Sequence, residues 1–248
     1  MNAWVQFVKK EMKEMKEFRY ISLGLIFGNY IAVSFFAYVN HVPAFISTWV
    51  NTLLMAHMVY LIVYYCFRLF LNHHKVVVRG DFSLPGWKVL AAKYGAGVLS
   101  FTISLACTLF LGLLSSLIVS QTSMNLASYF PSAIYLYFHL LCISTFIISW
   151  IMFGRTLFEV VKKRSPFYAR LSIVGVLLAL TWLFKHWQES GLYSFLFNWG
   201  TVELSAVMPK GGTLEVLPAA YIGNYVYHIL ISIVLLFLSG WLMDKKRA

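Results

Sequence analysis

The sequence predicts an all-α integral membrane protein with six transmembrane helices, an N-terminal amphipathic elbow helix and both termini in the cytoplasm. Composition is the first observation: 60% of the 248 residues are hydrophobic and only 12% are charged. The mean hydropathy of +0.74 agrees. A soluble domain carries about 25% charged residues. Charge-free runs long enough to cross a bilayer, which takes about 20 residues, recur along the chain and are the second observation.

Residues 1–19 predict the elbow helix. Their apolar residues recur at helical spacing, and lysines occupy the other faces. The apolar set is Trp4, Val8, Met12, Met15 and Phe18. This pattern is typical of a helix lying in the membrane interface. A solvated basic helix is the alternative interpretation.

Charge-free runs predict six spans within a single domain, residues 20–243. Polar residues 120–123 divide the uncharged run 94–154 into two spans. The predicted spans are about 20–39, 46–67, 94–119, 133–153, 171–187 and 220–242. The aromatic stretch 188–218 is too interrupted to cross, so we expect a re-entrant outer segment that forms a gate, or a simple interfacial hairpin.

Charge asymmetry predicts the orientation. With six spans, all but two of the 20 Lys and Arg residues lie on the side of the termini, the exceptions being Lys185 and Lys210. The positive-inside rule assigns that side to the cytoplasm. Topology therefore explains the net charge of +11, and we expect no nucleic-acid partner. The expected location is the plasma membrane of a bacterium, and the absence of an Asn-x-Ser/Thr acceptor is in line with that host.

The cytoplasmic loop after span two, residues 68–93, predicts a docking surface. It contains three consecutive valines and Phe82 beside basic residues. Apolar surface of this kind indicates a protein partner. Packing of the loop on its own span ends is the alternative.

The end of this loop carries a family resemblance. Residues 82–93 read FSLPGWKVLAAK, which resembles the pattern that opens the third span in permease subunits of ABC-2 type transporters. The elbow, the six spans and the aromatic outer segment match the layout of that family. The family's glutamate-rich stretch before the motif is replaced here by Asn72-His73-His74-Lys75.

The resemblance implies a non-catalytic permease subunit that dimerises, with a homodimer favoured over a heterodimer. Two copies of a cytoplasmic ABC ATPase would bind ATP and Mg, and this chain would need no cofactor or metal. The sequence itself has no G-x-x-x-x-G-K-[ST] loop to hold nucleotide phosphates. The implied ATPase-coupling residues are His73, His74, Lys75, Val76, Val77, Val78, Arg79, Gly80, Asp81 and Phe82.

The predicted spans carry no Asp or Glu, and the chain has no H-E-x-x-H or G-x-S-x-G motif, so an intramembrane hydrolase is not expected. An uncharged, aromatic interior fits export of amphipathic peptides or other membrane-partitioning toxins and drugs. The candidate pathway residues are Asn29, Tyr30, Phe35, Asn51 and Tyr60.

Two other functions stay open at this point. His57, His139 and His228 lie at similar depth within three spans, and such histidines could serve a haem or quinone redox protein. The second alternative is a membrane scaffold that recruits a partner without transporting anything.

Overall fold

The computed structural model describes residues 3–71, 85–118, 126–162, 166–202 and 220–247. Nearly all of these residues are helical, apart from one antiparallel pair of two-residue strands. The elements in chain order are α1 (Ala3–Glu14), α2 (Lys16–Val39), α3 (Ala44–Leu71), α4 (Gly86–Ile118), α5 (Leu126–Val161), α6 (Pro166–Gln188), α7 (Gly191–Phe197), β1 (Thr201–Val202), β2 (Ala220–Tyr221) and α8 (Ile222–Arg247).

Five helices of the described chain are long and apolar enough to cross a membrane. The five candidate spans are Lys16–Val39, Thr48–Phe67, Gly86–Ser115, Ile134–Val161 and Ile222–Lys245. In lipid, a helix satisfies all its backbone hydrogen bonds internally, which is why apolar runs of this length fold this way. The predicted all-α membrane class is confirmed. The predicted fifth span falls on α6, which is not among the five, so the sixth crossing stays a prediction.

The helices on either side of the predicted coupling loop extend further than expected. α3 continues to Leu71, and α4 begins at Gly86 rather than at residue 94. The carbonyl of Pro85 accepts the amide hydrogens of Lys88 (2.9 Å) and Val89 (3.3 Å), so the helix starts directly after this proline. Proline suits the start of a helix because its missing N–H has no partner to lose there.

Contacts group the chain into two compact units. The first unit contains residues Met1–Gly80, Ala92–Ser144 and Leu204–Leu217, and the second contains Asp81–Ala91, Thr145–Glu203 and Pro218–Ala248. We describe each by itself.

In the first unit, the buried face of α4 is lined by small hydroxyl residues. Ser100, Ser104 and Thr108 recur every four residues and are at most 1% exposed. The hydroxyls of Ser100 and Thr108 donate to the carbonyls four residues earlier, at 3.0 and 3.1 Å. Small residues allow close helix packing in membranes, and these back-bonds satisfy their hydroxyls.

The end of α1 and the start of α2 pack against other helices of the chain. Met15 is 3% exposed, and the hydroxyl of Ser100 on α4 lies 3.8 Å from the sulfur of Met12. Phe18 forms ring contacts with Tyr60, Tyr64 and Phe67 on α3. Part of the apolar face predicted to insert into lipid therefore covers α3 and α4. An interfacial position for the rest of α1 stays a prediction.

In the second unit, rings from α5, α6, α7 and α8 form one cluster around Tyr227. Tyr227 lies 4.8 Å from Phe197, 5.2 Å from Tyr193 and 5.5 Å from Phe184, between ring centroids. Aromatic pairs at these separations contribute beyond their buried area. The cluster thereby packs short helix α7 against α8.

Candidate functional site

All ten predicted ATPase-coupling residues, His73 to Phe82, lie outside the described residues. The structure describes the chain again from Pro85, the residue before α4. The candidate site is therefore built around the place where α4 begins. We call it the α4–α8 junction, and it consists of Gly86, Trp87, Phe237, Gly240 and Asp244.

A carboxylate from α8 caps the start of α4. The backbone amide of Gly86 donates to both carboxylate oxygens of Asp244, at 2.8 and 3.0 Å. The first amides of a helix have no partner within the helix, and they carry the positive end of its dipole. A negatively charged acceptor at this position is therefore stabilising. The two residues are 158 positions apart in the chain.

Two glycines let the helices meet backbone to backbone at the junction. A Cβ atom on Gly240 would lie 2.5 Å from the amide nitrogen of Trp87 and 2.6 Å from its Cα. A Cβ atom on Gly86 would overlap the carbonyl oxygen of Gly240. No larger residue fits at either position without moving the backbone. The rings of Trp87 and Phe237, 5.5 Å apart, pack beside this contact.

Two lysines next to the junction in the chain lie over exposed indole rings. The ammonium of Lys88 lies 5.5 Å from the centre of the Trp87 ring, and that of Lys245 lies 5.1 Å from the Trp241 ring. Both indoles are exposed, at 41% and 58%. Tryptophan beside lysine is typical of a membrane–water boundary.

The structure divides the predicted pathway residues into outward-facing and packed side chains. Asn29 and Phe35 of α2 are exposed, and the amide of Asn29 donates to the Leu25 carbonyl at 2.7 Å. Tyr30 and Tyr60 are packed: their hydroxyls lie 3.2 Å from Ser115 and 3.4 Å from Ser22. Asn51 is half-buried. The five residues do not line one described cavity, so a shared pathway stays a prediction.

His57 is a buried packing residue between α3 and α4. Its Nδ1 lies 2.7 Å from the carbonyl of Leu53, and its Nε2 lies 3.0 Å from the hydroxyl of Ser104. A carbonyl only accepts, so Nδ1 carries the proton and Nε2 accepts from Ser104. Both ring nitrogens are thus occupied, which leaves neither for an iron ligand in this arrangement.

The other two histidines of the redox alternative contact aromatic rings. His139 stacks on Tyr135 in the first unit at 6.1 Å between centroids. His228 lies 4.6 Å from the Phe146 ring in the second unit. These contacts are compatible with packing roles, and the redox alternative stays a prediction.

The predicted outer segment folds back on the start of α8. The hydroxyl of Ser190 accepts the amide hydrogen of Tyr193 (3.1 Å) and thereby caps α7. Further on, the carbonyl of Gly200, a residue with φ of +69°, accepts the amide hydrogen of Ile222 at 3.0 Å. This left-handed turn aligns β1 with β2. Residues 203–218 of the predicted segment lie outside the described residues.

Sequence reasoning missed the role of Asp244. One signal was present: Asp244 is an acidic residue directly before Lys245-Lys246-Arg247, in a tail whose basic residues alone satisfy the positive-inside rule. An acid in such a place indicates a specific partner. Which helix end supplies the partner cannot be read from the sequence.

Fold and apolar helices together define the class: the chain is a multi-pass helical membrane protein. Comparisons with family models, curated proteins and solved structures give no match.

Proposed function

We propose that this chain is the membrane-spanning permease subunit of an ATP-driven exporter of the ABC-2 type, located in a bacterial plasma membrane. In this proposal two copies dimerise and each binds one cytoplasmic ATPase through residues 68–93. The observation that carries the proposal is the α4–α8 junction. There, the chain that follows the predicted docking segment enters α4 at a point held by the side chain of Asp244 and packed on the backbone of Gly240.

Rigidity at this point is what mechanical coupling requires. α4 is one continuous helix of 33 residues, which corresponds to about 50 Å at 1.5 Å per residue. A displacement applied to residues 72–84 reaches this helix through Pro85, whose φ angle is restricted by its ring. Rigid-body movement of helices is a recognised way in which a displacement at one site changes the arrangement of a whole domain.

Exposed polar groups on α2 support a second copy. Only 11% of its apolar window is buried within the chain, the smallest share among the five candidate spans. Asn29 lies on this exposed helix, and polar side chains within a span normally face protein or a cavity rather than lipid. A second copy, or a substrate held between two copies, would cover it. Exposed apolar rings such as Phe35, on the same helix as this amide, are suited to an amphipathic peptide or drug.

Co-purification tests the proposal. The tagged full-length chain is extracted from its native membrane in mild detergent, and nucleotide-binding subunits are quantified. We expect one ATPase per copy and its release when residues 76–82 are deleted. The variant Arg79→Ala/Phe82→Ala should release it as well.

A matched control removes a cation and a phenylalanine elsewhere. Lys162 and Phe158 form a cation–π contact at 5.7 Å at the end of α5, which the proposed topology also places on the cytoplasmic side. Phe158→Ala/Lys162→Ala should keep the ATPase bound. A wild-type chain that purifies without a nucleotide-binding subunit would refute the permease proposal. Its visible spectrum would then distinguish a haem protein from a scaffold.

A further inference from the structure

We infer that Asp244 is a positioning residue that fastens the start of α4 to the end of α8, so that a displacement of the segment before α4 moves the last helix too. The role in energy coupling rests on the proposed function. The fastening itself does not, because it follows from contacts within one compact unit.

The first argument is that Pro85, the residue before α4, offers no side chain that could cap the helix. Helices usually begin after Ser, Thr, Asp or Asn, whose side chains accept the orphan amides. α4 instead follows Pro85, which has no side-chain acceptor. The acceptor comes from α8, where both oxygens of Asp244 lie within 3.0 Å of the Gly86 amide nitrogen. Separation of the two helix ends would expose this amide without a partner.

The second argument is the backbone contact beside the cap. Gly240 lies one helical turn before Asp244, and its Cα faces the backbone of Trp87. The carbonyl oxygen of Gly240 in turn faces the Cα of Gly86. A capping bond alone would act as a hinge. A bond and a backbone contact one turn apart, with the Trp87–Phe237 ring pair beside them, resist both sliding and rotation.

The third argument is position. The junction directly follows residues 72–84, with Pro85 between them. A force from a partner seated on that segment therefore reaches the junction before the rest of α4. A fastening here passes the force to two helices, whereas a free α4 end would pass it to one.

The test measures the two helix ends in the full-length chain in lipid nanodiscs. Spin labels are attached at Lys88→Cys and Lys245→Cys after Cys66, Cys107 and Cys142 are replaced by serine. We expect a narrow distance distribution with Asp244 intact and a broader, longer one with Asp244→Ala. Asp244→Asn keeps one acceptor oxygen and should restore the narrow distribution.

Two glycine substitutions provide an independent check and a control. Gly240→Ala should shift the label distance because its Cβ collides with the Trp87 backbone. Gly154→Ala should not, because nothing lies within 4 Å of a Cβ at that position. An unchanged distribution in both Asp244→Ala and Gly240→Ala would overturn the inference.

The coupling role is read in the complex with the co-purified ATPase. A fluorophore at Leu238→Cys on α8 should respond to ATP with vanadate in the wild type and in Asp244→Asn. It should lose that response in Asp244→Ala while the ATPase stays bound in the same ratio. If Asp244 only stabilised the fold, Asp244→Ala would lower the thermal stability of the chain. It would not abolish the fluorescence response while leaving ATPase binding unchanged.

The two proposals fail in different ways. If no ATPase co-purifies, the permease proposal fails and the label distances alone decide the fastening. If the ATPase binds and Asp244→Ala responds like the wild type, the coupling role of Asp244 is refuted and the permease proposal stands.

Discussion

Substitution of Gly223 by alanine should detach α7 from α8. A Cβ atom at Gly223 would lie 2.6 Å from the carbonyl carbon of Phe197 and 2.8 Å from its Cα. Both atoms belong to the backbone, so a side-chain rotation cannot relieve the overlap. The last turn of α7 must move away, and the contacts that hold this helix must loosen.

The structure sets the size of the effect. The Tyr193 hydroxyl donates to Asn224 Oδ1 at 2.8 Å, and Tyr227 pairs with the rings of Tyr193 and Phe197. A neutral hydrogen bond contributes about 0.5–1.5 kcal/mol, and each aromatic pair contributes a similar amount. Partial loss of the three contacts gives an expected destabilisation of about 2–3 kcal/mol.

Unfolding in mixed micelles with increasing SDS, followed by tryptophan fluorescence, measures this difference. Gly191→Ala is the matched control, because Gly191 begins α7, the helix expected to move, and a Cβ there has nothing within 4 Å. The control should change the unfolding free energy by no more than about 0.5 kcal/mol. Equal stability of the two variants would show that α7 does not pack on α8 in this way.

Two further predictions concern buried polar groups. The double-mutant cycle of His57→Ala and Ser104→Ala should give a coupling free energy of about 0.6 kcal/mol, and at most about 1.7 kcal/mol, as for other hydrogen bonds within membrane proteins; additive unfolding free energies would contradict the bond. Burial raises the pKa of the Tyr193 hydroxyl, so the unfolded chain ionises first, at about pH 10. The stability that Tyr193 contributes is therefore present below about pH 10 and is lost as the pH rises through the folded pKa. Tyr193→Phe should reduce the loss of unfolding free energy between about pH 9 and pH 11, and an identical loss in both proteins would refute the assignment.

The pattern of apolar and charged residues within each segment was sufficient to predict the structural class and most of the long helices. Charge-free runs marked α2, α3, α4, α5 and α8, because an apolar run in lipid must satisfy its backbone within itself. The short aromatic run after α6 was also expected not to cross, and its described part forms α7.

The side of each helix that faces protein and the contacts at helix ends were harder to predict, because both depend on neighbouring helices. Asn29 and Phe35 read as interior residues in the sequence, yet they face outward in the single chain. Part of the apolar face of residues 1–19, expected to enter lipid, packs on protein through Met12, Met15 and Phe18. An apolar side chain is equally suited to lipid and to a neighbouring helix, so hydropathy cannot choose between them.

Segment length and hydropathy were enough to predict helices suited to a membrane, because both properties act within each segment. The start of α4 and the contacts that hold it became evident only from the packing of distant segments. The capping carboxylate of Asp244 comes from 158 residues away, and Gly86 and Gly240 matter only because their helices meet. No periodicity within one segment records a contact between two helix ends that distant in the chain.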